Sequence, residues 1–585
     1  MTGGASEGGA AAANGGRATG VGAAEPVAGS GGAGNPECAG VLVAAETGVR
    51  TQADVDALRG IGKVEGSLLI DAVSNGPTEL LALSCLTEVT GTLRIATYSA
   101  LTSLEGLEQL QRVGKLEVFD NRELVELGGL SQLREISTGL KLTNNPKLRS
   151  VAALESLTTI GDALVIEDNP KLRGLEGLDA LAYVGGDCSI SRNDTLASLD
   201  GLANLAHVAG SLTLEANSAL ERIDALGSLS KVGPTFVIRG NSQLANLDGL
   251  EGLQAVGQLD VTNNPLLSQV DGLQNLATAG KLAIQGSPKL SSVRGFAKLA
   301  EVGTLSLSDL GALTSLAGLE QLHKVGTLSL SKLGALTSLA GLEQLGKVHE
   351  SLSITGLPVL DLTGLSGLSE VGKDLNIAGN SCVSLDGLQN LTRVGGAVTI
   401  DINEKLATLH GLGQVEEIGT LEISDNPALT SLSGLARLAH LGGAGVVVPD
   451  RALFLYENAA LTAVGLPALS AVDGNIDFIG GGLESLAGLE SLSTVGGSFA
   501  IDGAEALKSL DGLNKLASVD RISVSGCPKL VSLRALASLK SVANGCDFSQ
   551  NQMLPTCEAQ WLRSIVEALG DTFSSSGTNN QGVCP

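Results

Sequence analysis

The chain has few aromatic residues, no long apolar run and no excess of positive charge. Aromatics make up 2% of its 585 residues, although 43% of the residues are hydrophobic, so Leu, Val, Ile and Ala must fill any core. No run reaches the 18 or more apolar residues typical of a membrane span. The net charge of -25, from 62 acidic and 37 basic residues, repels phosphates. We therefore predict no transmembrane segment and no nucleic-acid partner.

Motifs for metal binding and catalysis are missing as well. The cysteines and histidines lack zinc spacing, and the glycines lie at repeat corners rather than in a phosphate-binding loop. We predict no enzyme activity, no cofactor and no metal site. A polysaccharide-acting β-helix enzyme is a remote alternative, because it needs charged and aromatic residues on one face. The outward strand positions, such as Thr304 and Ser306, are small and nearly free of aromatics.

A repeat of 23 or 24 residues is the dominant feature of the sequence. The segment Gly303–Val325 recurs as Gly326–Val348 with only two differences. A degenerate form, G-x-L-x-I-x-x-N-x-x-L-x-x-L-x-G-L-x-x-L-x-x-V, occurs about 21 times between Gly66 and Asn551. Its L-x-I alternation has the period of a strand with one inward face. The repeat predicts an all-β dominated protein, a right-handed parallel β-solenoid of about 21 coils with short helical caps.

An Asn recurs at the eighth position of the repeat. Solenoid corners leave backbone N–H and C=O groups facing inward, and an inward amide side chain can both donate to and accept from them. We therefore predict a structural Asn ladder rather than a polar binding site. Its members are Asn121, Asn145, Asn169, Asn193, Asn217, Asn241, Asn264, Asn380, Asn403, Asn426, Asn458 and Asn551.

The composition changes at both ends of the repeat array. Residues 1–37 are rich in Gly, Ala and Ser, cannot bury apolar surface and are predicted to be a disordered tether. The solenoid covers residues 38–556, including an N-terminal cap at 38–65. Residues 557–585 form a predicted C-terminal helical cap bounded by a disulfide.

Each cap contains a helix signal. Thr51-x-x-Asp54 is a helix-start motif in the first cap. In the second cap Trp561 and Ile565 share one helical face, which predicts that the indole closes the open end of the core.

The repeat resembles a leucine-rich repeat but has one more residue after the Asn, as in L-x-I-x-x-N-x-x-L. It is more similar to the receptor L domain of insulin and epidermal growth factor receptors and to related fungal cell-wall proteins. Cys38, and LTEVTGTLRI after Cys85, resemble the cysteine-bounded first coil of those domains. The resemblance covers residues 38 to about 556 and implies a cell-surface solenoid that binds a protein or glycan. It transfers no ligand-contacting residue.

The eight cysteines fall into two groups. Four bracket the caps, and disulfides between them would hold the ends of the array. These predicted bridges are Cys38–Cys85 and Cys557–Cys584. The other four are Cys188 and Cys546 at inward strand positions, where a buried free thiol is expected, and Cys382 and Cys527 at corners, whose state the sequence leaves open.

One irregularity interrupts the period. Asn426 and Asn458 are 32 residues apart, so about eight residues are inserted around Gly442–Asp450. Insertions in solenoids map to loops that often bind, although a neutral insertion is tolerated at little cost. The candidate binding residues in this loop are Val446, Val447 and Val448.

Together these features predict a non-enzymatic recognition module of the cell envelope or exterior, which binds an unknown protein or glycan through the solenoid face. A structural spacer or adhesin of the envelope is the alternative. Because a tether implies an anchor, we expect a secretion or lipoprotein signal upstream of Met1. Caps at both ends predict a monomer.

Overall fold

The structure is a computed structural model that describes residues 38–72, 76–97, 101–442, 451–569 and 573–574. The predicted tether at 1–37, the candidate residues Val446, Val447 and Val448, and Cys584 lie outside this part. The chain forms two compact units, residues 1–186 and 187–585.

The first unit is a ladder of parallel strands in which each strand pairs with the equivalent strand of the next coil. Leu116, Leu140 and Leu164 occupy the same register in three successive coils and are completely buried. Alternate positions face outward, as the L-x-I pattern predicts. The strands are β1 (Gly40–Val49), β2 (Ile61–Ala72), β3 (Glu88–Thr97), β4 (Arg112–Phe119), β5 (Glu135–Ile136), β6 (Leu140–Thr143), β7 (Thr159–Ile160), β8 (Leu164–Glu167) and β9 (Tyr183–Val184).

A short helix, α1 (Gln52–Asp56), covers the start of this unit. It begins at Thr51, whose hydroxyl accepts from the Asp54 N–H, while the Asp54 carboxylate accepts from the Thr51 N–H. This capping box places Val55 in the core. A disulfide joins Cys38 to Cys85, with their Cα atoms 5.1 Å apart, so the predicted first bridge is present.

The second unit repeats the same parallel arrangement. Equivalent positions are 23 or 24 residues apart, except across the insertion, where Leu421 pairs with Leu453, and at the last strand pair, where Cys546 pairs with Phe573. The strands are β10 (Cys188–Ser191), β11 (His207–Val208), β12 (Leu212–Glu215), β13 (Lys231–Val232), β14 (Thr235–Arg239), β15 (Ala255–Thr262), β16 (Thr278–Gln285), β17 (Glu301–Ser308), β18 (Lys324–Ser331), β19 (Lys347–Val348), β20 (Leu352–Thr355), β21 (Glu370–Val371), β22 (Leu375–Ala378), β23 (Arg393–Val394), β24 (Ala397–Asp401), β25 (Glu417–Ile418), β26 (Thr420–Ser424), β27 (His440–Leu441), β28 (Arg451–Tyr456), β29 (Ala471–Val472), β30 (Asn475–Ile479), β31 (Thr494–Asp502), β32 (Ser518–Ser525), β33 (Ser541–Val542), β34 (Cys546–Ser549) and β35 (Phe573–Ser574).

Short 3-10 helices form part of the return path in some coils of both units. Their first turns bury one or two apolar side chains against the strands. They span Leu81–Leu83, Ala152–Leu154, Asp224–Ser228, Asp271–Leu273, Arg294–Phe296, Thr363–Leu365, Ser433–Leu435 and Arg534–Ser538.

The recurrent Asn residues are buried at the corner after the strand. The backbone N–H of Asn403 donates to Oδ1 of Asn426 at 3.0 Å, and Nδ2 of Asn403 donates to the Ile377 carbonyl of the preceding coil at 2.9 Å. Each amide therefore satisfies backbone groups that the corner withdraws from water. The ladder is interrupted in the second unit, where the same position holds Ser287, Leu310, Leu333, Leu357, Gly481, Ala504 and Cys527.

The residue before each Asn lies in the left-handed region of backbone space. Asp120, Asn144 and Asp168 have φ of 59°, 54° and 56°. Asp, Asn and Gly tolerate this conformation best, which explains their frequency at this position. Ile402, with φ of 53°, is the β-branched exception in the Asn-containing coils.

The C-terminal helix, α2 (Thr556–Ala568), covers the C-terminal end of the second unit. Its fully buried side chains are Leu562 and Val566, which lie one turn apart. Trp561 is only partly buried, and the Arg534 guanidinium lies over its ring at 4.3 Å. The prediction that Trp561 closes the core is therefore wrong, because the helix faces the core through the neighbouring Leu562.

The predicted fold class is confirmed, since the molecule is a parallel β-solenoid of about 21 turns. The described residues contain two α-helices, and neither is long and apolar enough to cross a membrane.

Candidate binding surface

Most outward strand positions of the second unit carry small polar side chains. On β17 and β18 they are Ser306, Ser308, Ser329 and Ser331, which are paired in register and half-buried. We call these four residues the serine face. Such a surface offers hydroxyl groups but little apolar area for a partner to cover.

β28 departs from this pattern directly after the insertion. Leu453 and Leu455 point into the core, so Phe454 and Tyr456 point outward. Their rings are nearly parallel, at an interplanar angle of 10° and a centroid distance of 6.1 Å. In register, Phe454 lies between Glu422 of β26 and Asp477 of β30.

Arg451, the first residue of β28, covers one of the two rings. Its guanidinium carbon lies 4.3 Å from the Phe454 centroid, and its Nε lies 3.7 Å from Oδ2 of Asp477. Phe454 is consequently only 9% exposed, whereas Tyr456 is 36% exposed. Burial raises the pKa of Asp477, although the Arg451 charge opposes this effect. We call Glu422, Arg451, Phe454, Tyr456 and Asp477 the open cluster.

The first unit has its own outward aromatic, Phe119 at the end of β4. Arg94 and Lys141, on the adjacent strands, each place a cation near this ring, at 5.8 Å and 5.6 Å from its centroid. Two cations on one ring restrict access to it from neighbouring coils. We call Arg94, Lys115, Glu117, Phe119 and Lys141 the closed cluster.

Glu117 is the acidic centre of the closed cluster and is almost completely buried. Its carboxylate accepts from Arg94 Nε at 2.9 Å and lies 2.7 Å from Lys115 Nζ. Burial raises the pKa of the Glu117 carboxyl, but the hydrogen bonds from Lys115 and Arg94 outweigh burial and hold the pKa below its ordinary value. The carboxylate thus pairs with two of the three cations in the cluster.

The closed cluster lies inside the segment that carries a family match. Residues 62–156 match the receptor L domain family. The resemblance predicted from the repeat is therefore confirmed for this segment, which contains the parallel strands β3 to β6 and most of β2. The open cluster lies outside the matched residues.

Several solved leucine-rich-repeat structures are similar to the chain. An internalin (InlF) of Listeria monocytogenes is 17% identical, covers 61% of this chain and 86% of its own, and has a TM-score of 0.29. A leucine-rich-repeat protein of Leptospira interrogans is 17% identical, covers 74% of this chain and 95% of its own, and has a TM-score of 0.31. The functional domain of InlJ from Listeria monocytogenes is 13% identical, covers 75% of both chains and has a TM-score of 0.25. No curated protein matches the sequence.

The remaining predicted site residues have different outcomes. Cys188, Cys382, Cys527 and Cys546 are all buried thiols. Burial raises the pKa of Cys188 to about 12 and those of Cys382 and Cys527 to about 11, so these thiols are poor nucleophiles. Cys557 is disulfide-bonded, but its predicted partner Cys584 lies outside the described residues.

Sequence reasoning missed Phe454 and Tyr456 and treated the outward face as nearly free of aromatics. The signal was present in the alternation Leu453-Phe454-Leu455-Tyr456, which places both aromatics on the face opposite the two leucines. The three valines of the insertion were predicted as binding residues, and the strand that follows the insertion was not considered.

Proposed function

We propose that the chain is a recognition module that binds a partner protein through the outward face of β26, β28 and β30. The observation that supports this proposal is the pair Phe454 and Tyr456, which breaks an outward face of small polar residues. Aromatic side chains dominate the energetics of protein interfaces because they bury a large area with few rotatable bonds. A protein-binding role is also typical of receptor L domains and leucine-rich repeats.

We further propose that the module has no catalytic activity. The thiols of Cys188, Cys382 and Cys527 are buried with raised pKa values, and the His410–Asp386 and His440–Asp473 pairs are open to solvent. A catalytic base needs a nucleophile within hydrogen-bond reach inside a cleft. The proposal therefore rests on site chemistry as well as on the family.

An extracellular or cell-envelope location fits this role. The Cys38–Cys85 disulfide and the bonded state of Cys557 support an oxidising compartment, because cytosolic thiols are normally kept reduced. In this proposal residues 1–37 serve as the link to the envelope. The four thiols do not conflict with it, because all of them are buried.

Site-specific photo-crosslinking tests the proposed surface. A photoreactive phenylalanine analogue is placed at position 456 and, as a matched control, at position 329 of the serine face, and intact native-host cells are illuminated. We expect protein adducts at 456 that are absent at 329 and that disappear when Phe454→Ser is added. Equal adducts at both positions, or none at 456, would contradict the proposal.

A structural spacer remains the second candidate, and the serine face is the observation that favours it. Four residues of identical chemistry on adjacent coils present no distinctive contact. Deletion of Gly326–Val348 removes one coil without touching the open cluster. Intact crosslinking at 456 with retained host-surface function in this deletion favours recognition, whereas intact crosslinking with loss of that function favours the spacer.

A further inference from the structure

Arg451 shows which chemistry the open cluster accommodates. Its guanidinium lies over the Phe454 ring at 4.3 Å and within 3.7 Å of the Asp477 carboxylate. A ring face attracts a cation through its quadrupole, and a nearby carboxylate adds a Coulombic contribution. The chain's own cation therefore occupies an aromatic and acidic position that a partner's cation would also fit.

The adjacent ring offers the same chemistry to solvent. Tyr456 lies beside Phe454 with its ring nearly parallel and is 36% exposed. In the part of the chain that the structure describes, no cation lies over the Tyr456 ring, in contrast to Phe119, Phe454 and Trp561. Tyr456 is thus the outward aromatic of this strand face that a partner's cation can reach.

Acidic side chains surround the two rings on both sides. Glu422 and Asp477 flank Phe454 on the adjacent strands. In the row of Tyr456, Asp401 lies two strands before it and Asp502 two strands after it, each about 10 Å away at the usual strand spacing.

Cations are fewer on the same strands. Arg451 is already placed over Phe454, and Arg521 lies on β32, three strands from Tyr456. The whole chain carries a net charge of -25, so long-range attraction also favours a basic partner. The local and global charges are therefore both complementary to Lys and Arg.

We propose that the partner of this face is a protein segment bearing Lys or Arg residues, with one cation on the Tyr456 ring and others opposite Asp401, Glu422 and Asp502. An extended segment of about six residues spans the four strand spacings between Asp401 and Asp502. This inference rests on the proposed function and specifies the partner's chemistry.

A peptide titration tests the inference directly. A fluorescein-labelled peptide with alternating Arg and Ser residues is titrated with the full chain and compared with the same peptide containing citrulline in place of each Arg. We expect the Arg peptide to bind at least about tenfold more tightly at low salt and to lose this advantage at high salt.

Variants distinguish binding to the Tyr456 ring from general attraction by the acidic residues. Tyr456→Leu is expected to weaken Arg-peptide binding about fivefold, whereas Tyr456→Phe keeps the ring and stays within about twofold of wild type. The double variant Glu422→Gln/Asp502→Asn should also weaken binding, and Ser329→Ala serves as the control. Binding that is unaffected by Tyr456→Leu overturns the inference, because diffuse acidity would then explain it.

The crosslinking experiment distinguishes failure of this inference from failure of the proposed function. Adducts at position 456 whose mapped peptides lack Lys and Arg leave the recognition surface intact but overturn the basic segment. An adduct with a second copy of the chain, or equal binding of the Arg and citrulline peptides, overturns it as well. Adducts at 456 that map to basic peptides support both proposals.

Discussion

The closed and open clusters present aromatic rings at the same kind of outward strand position but surround them differently. In the closed cluster, Phe119 has a cation from each adjacent strand, and Glu117 pairs with one of these cations, Arg94. In the open cluster, Arg451 covers Phe454 and leaves Tyr456 exposed. An outward aromatic therefore does not by itself make a binding surface. The charges supplied by neighbouring coils decide whether the ring is used within the fold or is accessible to a partner.

The largest expected effect concerns the acidic centre of the closed cluster. Glu117→Gln should lower the free energy of unfolding by about 2 kcal/mol at neutral pH, because it removes the charge from hydrogen bonds to Arg94 and Lys115 in a nearly buried site. The matched change in the open cluster, Glu422→Gln, should stay within about 0.5 kcal/mol because Glu422 is exposed. Urea unfolding of the full chain, followed by circular dichroism, measures both.

The loss of stability caused by Glu117→Gln depends on pH in a defined direction. The pKa of Glu117 is lowered in the folded state, so its stabilisation is fully present above the ordinary carboxyl pKa of 4.5 and is lost as the pH falls through the folded pKa. The difference in stability between wild type and Glu117→Gln should therefore shrink in acid. A difference that stays constant below pH 4.5 would assign the effect to side-chain shape rather than charge.

A smaller effect is expected at the rings themselves. Phe119→Leu should cost about 1 kcal/mol, since it removes the ring that two cations contact and some packing area. Tyr456→Leu should change stability by less than about 0.5 kcal/mol while reducing binding of the Arg peptide. Equal destabilisation by the two substitutions would show that Tyr456 is as structural as Phe119.

The smallest effect, on peptide binding, is expected for Arg451→Gln, which exposes more of the open cluster. The substitution uncovers Phe454 and leaves Asp477 without its nearby cation. Binding of the Arg peptide should become about threefold tighter, because a second ring and carboxylate become accessible. Anisotropy titration measures this change, and weaker binding would mean that Arg451 itself contacts the peptide. Lys324→Gln, on the strand that carries Ser329, is the charge-matched control.

The repeat period carried most of the information about the fold. The inward Leu and Val positions and the corner Asn residues follow from one motif, since each coil buries its face only against its neighbours. The outward position of Phe454 and Tyr456 also follows from their alternation with two leucines. Sequence reasoning missed it because the insertion shifts the spacing before this strand.

Other features depend on contacts that no local pattern encodes. The placement of Arg451 over Phe454 depends on side-chain contacts, including that with Asp477 on the next strand, that the repeat does not set. Trp561 was assigned to the core from the helical face that it shares with Ile565, whereas the helix buries Leu562 and Val566 instead. In both cases an arginine of the same chain lies over the aromatic ring: Arg451 over Phe454 and Arg534 over Trp561.

The interruption of the Asn ladder bears on how such a chain changes its length. Leu310 and Leu333 replace the corner Asn in the two nearly identical coils, Gly303–Val325 and Gly326–Val348, so neither coil has a corner amide bonded to its neighbour. Gain or loss of one of these segments would shift the array by a whole coil and leave the Asn hydrogen bonds elsewhere intact. This stretch is therefore where unequal recombination within the gene can add or remove coils without breaking the Asn ladder, and the near-identity of the two segments is what a recent event of this kind leaves behind.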